Sequence, residues 1–237
     1  MAAGLAALVL AMMIGRRAGF APSLHKPHNI PFVMLGAALL WFGWFGFNGG
    51  AAGSIAEGGL IWVNTLVAPG AALVAWLFTE QLRDGRMTSV GAASGIVAGL
   101  VAITPACGSV SPVGALFLGL VAGGLSASAI GLKYRFKIDD SLDVVGVHLV
   151  SGLWGTVAIG LVAKDSGLFY GHDYKQLAVQ TVIALVALVF TGVLTFVIAM
   201  VLKPLGWRID REAELTGIDS TEHAESAYEA STNALIR

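Results

Sequence analysis

LAVQTVIALVALVFTGVLTFVIAMVL, residues 177–202, runs its whole length without one charged side chain. At about 1.5 Å of rise per residue such a stretch, coiled as a helix, exceeds the roughly 30 Å hydrocarbon layer of a bilayer. Five more apolar stretches, near residues 30–50, 59–79, 88–105, 110–131 and 141–163, have the same character. The pattern predicts an all-α membrane protein with about six full transmembrane helices. The composition agrees: 56% of residues are hydrophobic and 12% charged, and the mean hydropathy is +0.78, too little polar surface to solvate a globule. Residues 1–14 form a shorter apolar run followed by Arg16 and Arg17. With its positive charge after the apolar stretch it fits a helix stump better than a cleavable signal peptide.

Charge placement gives the expected topology. Of the 14 Lys and Arg, all but Lys164 and Lys175 fall on one side of the alternating spans, Lys26 and Arg237 among them. The positive-inside rule makes that side cytoplasmic, with residues 1–202 as the transmembrane unit and residues 203–237 as a polar cytoplasmic tail, disordered until bound. The net charge of −1 gives no reason to expect a nucleic-acid partner. Cys107 stands alone, so it reads as a small apolar residue, and no metal or cofactor is expected. Gly91, Gly95 and Gly99 recur every four residues, as do Ala115, Gly119, Gly123 and Ala127. Such stripes let helix axes approach closely.

A few residues carry chemistry. His148 lies inside the fifth long span, where an ionisable group is expensive and usually faces a pathway or a buried partner. If its helix begins near Asp140, it sits about 12 Å in, at 1.5 Å per residue. A neutral imidazole there donates from one nitrogen and accepts on the other, which suits a small hydrogen-bonding solute or a proton relay. Asp139 and Asp140 read as caps of that helix, while Asp143 lies farther in, needs a partner and braces it. Gly43-Trp44-Phe45-Gly46-Phe47-Asn48 closes the first long span. Its aromatics fit interface anchors, or a face that attracts a cation. Glu57, just beyond, is read as a solvated loop carboxylate.

Together with Pro27-His28-Asn29-Ile30-Pro31, Ile103-Thr104-Pro105-Ala106, Asp139-Asp140-Ser141-Leu142-Asp143, Gly146-Val147-His148 and Gly152-Leu153-Trp154-Gly155, that motif resembles the Amt/Mep/Rh ammonium transporter family. Gly217-Ile218-Asp219 with His223, Glu225, Ala227 and Tyr228 is similar to the family's tail motif. The resemblance implies that His148 is the second of two pore histidines and that Phe47 is one of two stacked phenylalanines at the outer mouth, with Trp44 and Asn48 in the same motif. It implies ammonium or ammonia passing through an apolar pore, a homotrimer in the plasma (inner) membrane, and a PII-type signalling protein as partner of the cytoplasmic face and tail. Ala51 departs from the family, whose better-known members carry a serine there. Measured against the family's inverted repeat of five helices plus five and an eleventh, the sequence is expected to begin inside the fifth helix. A second reading is therefore a non-conducting remnant that at most binds a PII-type protein. A membrane enzyme using His148 and Asp143 is the weakest reading, for no nucleophile or ligand cluster accompanies them.

Overall fold

The computed structural model describes residues 1–20 and 27–226 of the chain. Lys26, Ala227, Tyr228, Glu229 and Arg237 lie outside the described residues. Helix α1 (Ala2–Ile14) is followed by α2 (Ile30–Gly49), α3 (Ile55–Asp84), α4 (Ser89–Ile103), α5 (Pro112–Ala129) and the short α6 (Leu132–Phe136). A π-helical turn, Val145–Leu149, leads into α7 (Val150–Val162), then come α8 (Lys175–Leu202), α9 (Arg211–Thr216) and α10 (Ile218–Glu222). Among the described residues six helical segments are long and apolar enough to cross a membrane.

Their starts follow from local chemistry. Asn29, Ser54, Thr88 and Ser111 each accept a backbone N–H three residues on, satisfying one of the donors that every helix N-terminus leaves open. Helix α3 outruns its apolar stretch at both ends, because hydrogen bonding continues until Gly85 turns left-handed at φ 73°.

Helices α3, α4, α5 and α7 make the centre, and α2 and α8 lie outside. In the apolar window of α4 61% of residues are buried, against 6% in α2 and 11% in α8. Outer side chains such as Phe42, Val189 and Phe190 are more than half exposed, which suits a hydrocarbon solvent. The glycine stripes set the centre. A Cβ on Gly119 would lie 2.2 Å from the Ala68 carbonyl oxygen, and one on Gly123 2.2 Å from that of Ala72. Gly95 and Gly99 press α4 on the same stretch of α3, against Leu73 and Pro69. Gly91 instead makes room for Glu80, a buried carboxylate that accepts from the Trp76 indole at 3.1 Å and the Thr88 amide at 2.9 Å, tying the end of α3 to the start of α4.

Pro69 interrupts α3. Lacking an N–H, it leaves the Thr65 carbonyl without its helical donor, and the Trp41 indole supplies one at 3.0 Å. At the end of the bundle beyond Phe47, Val110 pairs with Ala163 and the Lys164 amide donates to Ser109 at 2.9 Å.

The opposite end gathers Arg17, Asp139 and Arg208. Arg17 donates twice to Asp139 from its guanidinium, at 2.9 and 2.6 Å, and once from its amide at 2.7 Å. Asp139 is therefore held as an ion-pair partner of Arg17. Arg208 reaches the carbonyl oxygens of Ile14 at 2.9 Å and Arg16 at 2.7 Å. Within the described part of the tail, where polar composition predicts disorder, α9 and α10 form, and Arg208 ties the chain before α9 to the end of α1 by bonding a carbonyl that the helix leaves open.

Candidate functional site

His148 owes its place to an irregular start of its helix. Asp143 stands in the left-handed region at φ 56°, so regular helix opens only beyond it and His148 is about one turn in. The 12 Å depth expected from a helix starting at Asp140 is corrected accordingly. Asp140, 6% exposed, accepts from the amides of Val144 at 3.0 Å and Val145 at 2.7 Å. Two backbone bonds to one carboxylate are strong, since charge roughly doubles each. Asp143 has a partner in Lys133, whose ammonium donates to its carboxylate at 2.6 Å and to the Asp140 carbonyl at 3.0 Å. On the neighbouring strut, the Asp139 carboxylate raises the Arg17 pKa, chiefly through the hydrogen bond.

His148 falls within the π turn, a widened helical geometry that often marks functional positions. Its imidazole opens on a groove of about 370 Å³ between α2 and α4, whose wall is mostly apolar: Val33, Ala37, Leu40, Ala93 and Val97, with Ser94 as another polar side chain. It makes no hydrogen bond with a described residue. A second groove of about 430 Å³ runs on along α2 past Gly43 to Trp44 and Phe47 and shares Gly36 and Leu40 with the first. Positions 33, 36, 40, 43 and 47 recur at helical spacing, so one face of α2 carries the line from Phe47 to His148.

At the far end Trp44 and Phe47 lie tilted with ring centroids 5.5 Å apart, Phe47 being 68% exposed. The Trp44 indole is fixed from behind by Thr104, whose hydroxyl accepts it at 2.8 Å and itself donates to the Leu100 carbonyl at 2.7 Å. Asn48 is not on the groove. It is buried at 2% exposure, and its amide nitrogen donates to the Thr65 hydroxyl at 3.0 Å, so its expected place on the pathway is corrected to one beneath it. Thr65 already donates to the Ile61 carbonyl at 2.7 Å; its oxygen can therefore only accept from Asn48, which fixes the amide's orientation and leaves Asn48 Oδ1 unpaired. Glu57 accepts the Gly53 amide at 2.8 Å and so closes the loop after α2.

In the tail, Gly217 adopts φ 107° between α9 and α10, Asp219 lies in the first turn of α10 and the His223 amide caps its end; Tyr228 lies outside the described residues. Gly217, Asp219 and His223 are at the end of the bundle away from Phe47 and do not join the groove. Trp41, Arg17 and Lys133 were not legible as supports. Only Pro69 signalled one of them, because a proline announces an unpaired carbonyl four residues earlier.

Six apolar helices and a groove with one histidine define a multi-pass α-helical membrane protein. A family model described as Ammonium Transporter Family matches residues 1–228, and the chain belongs to that family. It is 53% identical over 242 residues to the ammonium transporter of Mycobacterium tuberculosis (strain ATCC 25618 / H37Rv), covering 96% of this chain and 50% of that protein. Among solved structures it resembles Saccharomyces cerevisiae Mep2 with a TM-score of 0.84 at 33% identity, covering 98% of this chain and 56% of the other. A sensor Amt protein matches with a TM-score of 0.83 at 33% identity, covering 92% and 56%. The chain spans about half the length of the curated relatives it matches first.

Proposed function

We propose that this chain forms one wall of a path by which ammonium or ammonia crosses the membrane, running along α2 from Trp44 and Phe47 to His148. The observation that carries the reading is a pair of grooves along α2 that share Gly36 and Leu40, with a histidine that makes no hydrogen bond with a described residue at one end and an exposed aromatic pair at the other. Aromatic faces attract a cation that is shedding water. Beyond them the wall is apolar, so ammonium hands its proton to water at the exposed aromatic end and continues as ammonia, because an uncharged solute pays far less to enter. The imidazole accepts a hydrogen bond from the solute on one nitrogen or donates to it from the other. Asp140, Asp143 and Lys133 act at second hand, by holding the turn that carries His148.

Family membership also supports a homotrimer in the inner membrane, with the arginine-rich end in the cytoplasm and the tail, Gly217, Asp219, His223 and Tyr228 included, meeting a PII-type protein. The groove itself has a direct test. Gly36 lines both halves, and a Cβ there meets nothing within 4 Å. Gly36→Phe sends a ring into the line from a position whose Cβ meets nothing. In cells making the protein, it should cut methylammonium uptake about tenfold or more at unchanged membrane abundance, a side chain in a narrow passage being a steric barrier. Unchanged uptake would sink the reading.

A further inference from the structure

Arg16 and Arg17 follow the end of α1, and Arg208 and Arg211 flank the entry to α9. All four line one open basin of about 730 Å³, where Glu214 is the only acidic residue among the described residues that line it. Two of them are committed. Arg17 is bound to Asp139, and Arg208 to two carbonyl oxygens and, at 3.2 Å, to Glu214. Asp139 and Glu214, the carboxylates bonded to these two arginines, are thereby engaged. The guanidinium groups of Arg16 and Arg211 make no hydrogen bond or ion pair with a described residue, and both residues are exposed.

With Arg17 and Arg208 already paired to Asp139 and Glu214, Arg16 and Arg211 leave a net positive charge at the basin, and positive charge gathered at a concavity favours an anion. Guanidinium presents a planar fork of donors that matches the oxygens of a phosphate, two at a time. The basin also lies at a particular level, just past the apolar helices α1 and α8, which end at Ile14 and Leu202. That is the level of lipid headgroups, where basic groups meet anionic lipid. We propose that this basin is a binding site for a phosphate-type oxyanion, held by Arg16 and Arg211 against the fixed arginines 17 and 208. The phosphate is delivered either on an anionic phospholipid or from solution. Because it joins the end of α1 to the start of α9, its occupant also clamps the tail to the bundle.

The test uses the purified 237-residue chain in detergent. Phosphatidylglycerol and phosphatidylcholine binding is followed by native mass spectrometry, and inorganic phosphate by calorimetric titration. For a lipid site, phosphatidylglycerol binds about tenfold tighter than phosphatidylcholine, as charge-assisted bonds to an exposed headgroup allow. The double variant Arg16→Gln/Arg211→Gln erases the difference while leaving the melting temperature in place, since neither side chain bonds within the protein. For a soluble ligand, inorganic phosphate binds the unaltered chain and not the double variant. Equal binding of the two lipids by the unaltered chain, with no uptake of inorganic phosphate, overturns the proposal without recourse to any variant. So does an anion affinity that the double variant keeps to within about twofold.

Discussion

Trp41 shows how a single side chain repairs a defect that another residue makes. Pro69 takes the donor from the Thr65 carbonyl, and the Trp41 indole replaces it from α2. Thr65 therefore serves α2 twice, since its hydroxyl also receives Asn48. Trp41→Phe keeps the ring and removes the donor, so it should destabilise the protein by about 1–3 kcal/mol, the cost of orphaning a buried polar group. Calorimetric unfolding in detergent measures the loss, which should shrink in a Pro69→Ala background where α3 makes its own bond. An equal loss in both backgrounds would separate the indole from the proline. Residues of this kind are the least legible in a sequence. His148, Trp44 and Phe47 stand out by type and motif, and they meet one groove. Asn48 sits in the same motif yet turns inward, because facing along a helix is decided by what packs on it. Asp139, Asp140 and Asp143 were readable as a cluster at a helix start, but their division of labour was not. It depends on Arg17 and Lys133, which arrive from distant segments.

At the scale of elements, hydropathy located all six long helices, because each must carry enough apolar surface to match the bilayer. It misjudged their ends wherever hydrogen bonding continues past the apolar stretch, as in α3, or begins only inside it, as at the π turn before α7. The glycine stripes were legible as packing signals, and the helix they pack on, α3, emerged only from the structure. Gly123 and Gly124 make a matched pair for testing them. A Cβ on Gly123 would collide with the Ala72 carbonyl at 2.2 Å, whereas one on Gly124 meets only the Thr79 hydroxyl at 3.8 Å. Gly123→Ala is expected to cost about 1–3 kcal/mol through forced separation of α5 from α3. Gly124→Ala should be neutral or stabilise by up to about 1 kcal/mol, because alanine gives the unfolded chain less freedom to lose. Melting temperatures of the two variants in one detergent decide it, and equal shifts would refute close packing as the role of the stripe.

For the molecule as a whole, the arrangement separates a rigid centre from a working face. Helices α3, α4, α5 and α7 are locked by glycine contacts, while α2 presents its groove with one side unoccupied and α8 presents lipid-facing side chains. The arginine-rich end links the tail to α1 through Arg208, and through Arg17 and Asp139 to the turn below His148. The histidine is thus the point at which the path, the capped turn and the polar end meet. Its role is most directly tested by methylammonium uptake in ammonium-starved cells whose own copy of the protein carries His148→Ala. Loss of the one imidazole that lines the groove among the described residues should lower uptake about tenfold or more at unchanged membrane abundance, as when a hydrogen-bonding partner is withdrawn from an apolar site. Uptake within about twofold of the unaltered protein, less than the loss of one such bond would produce, would contradict a path that passes His148.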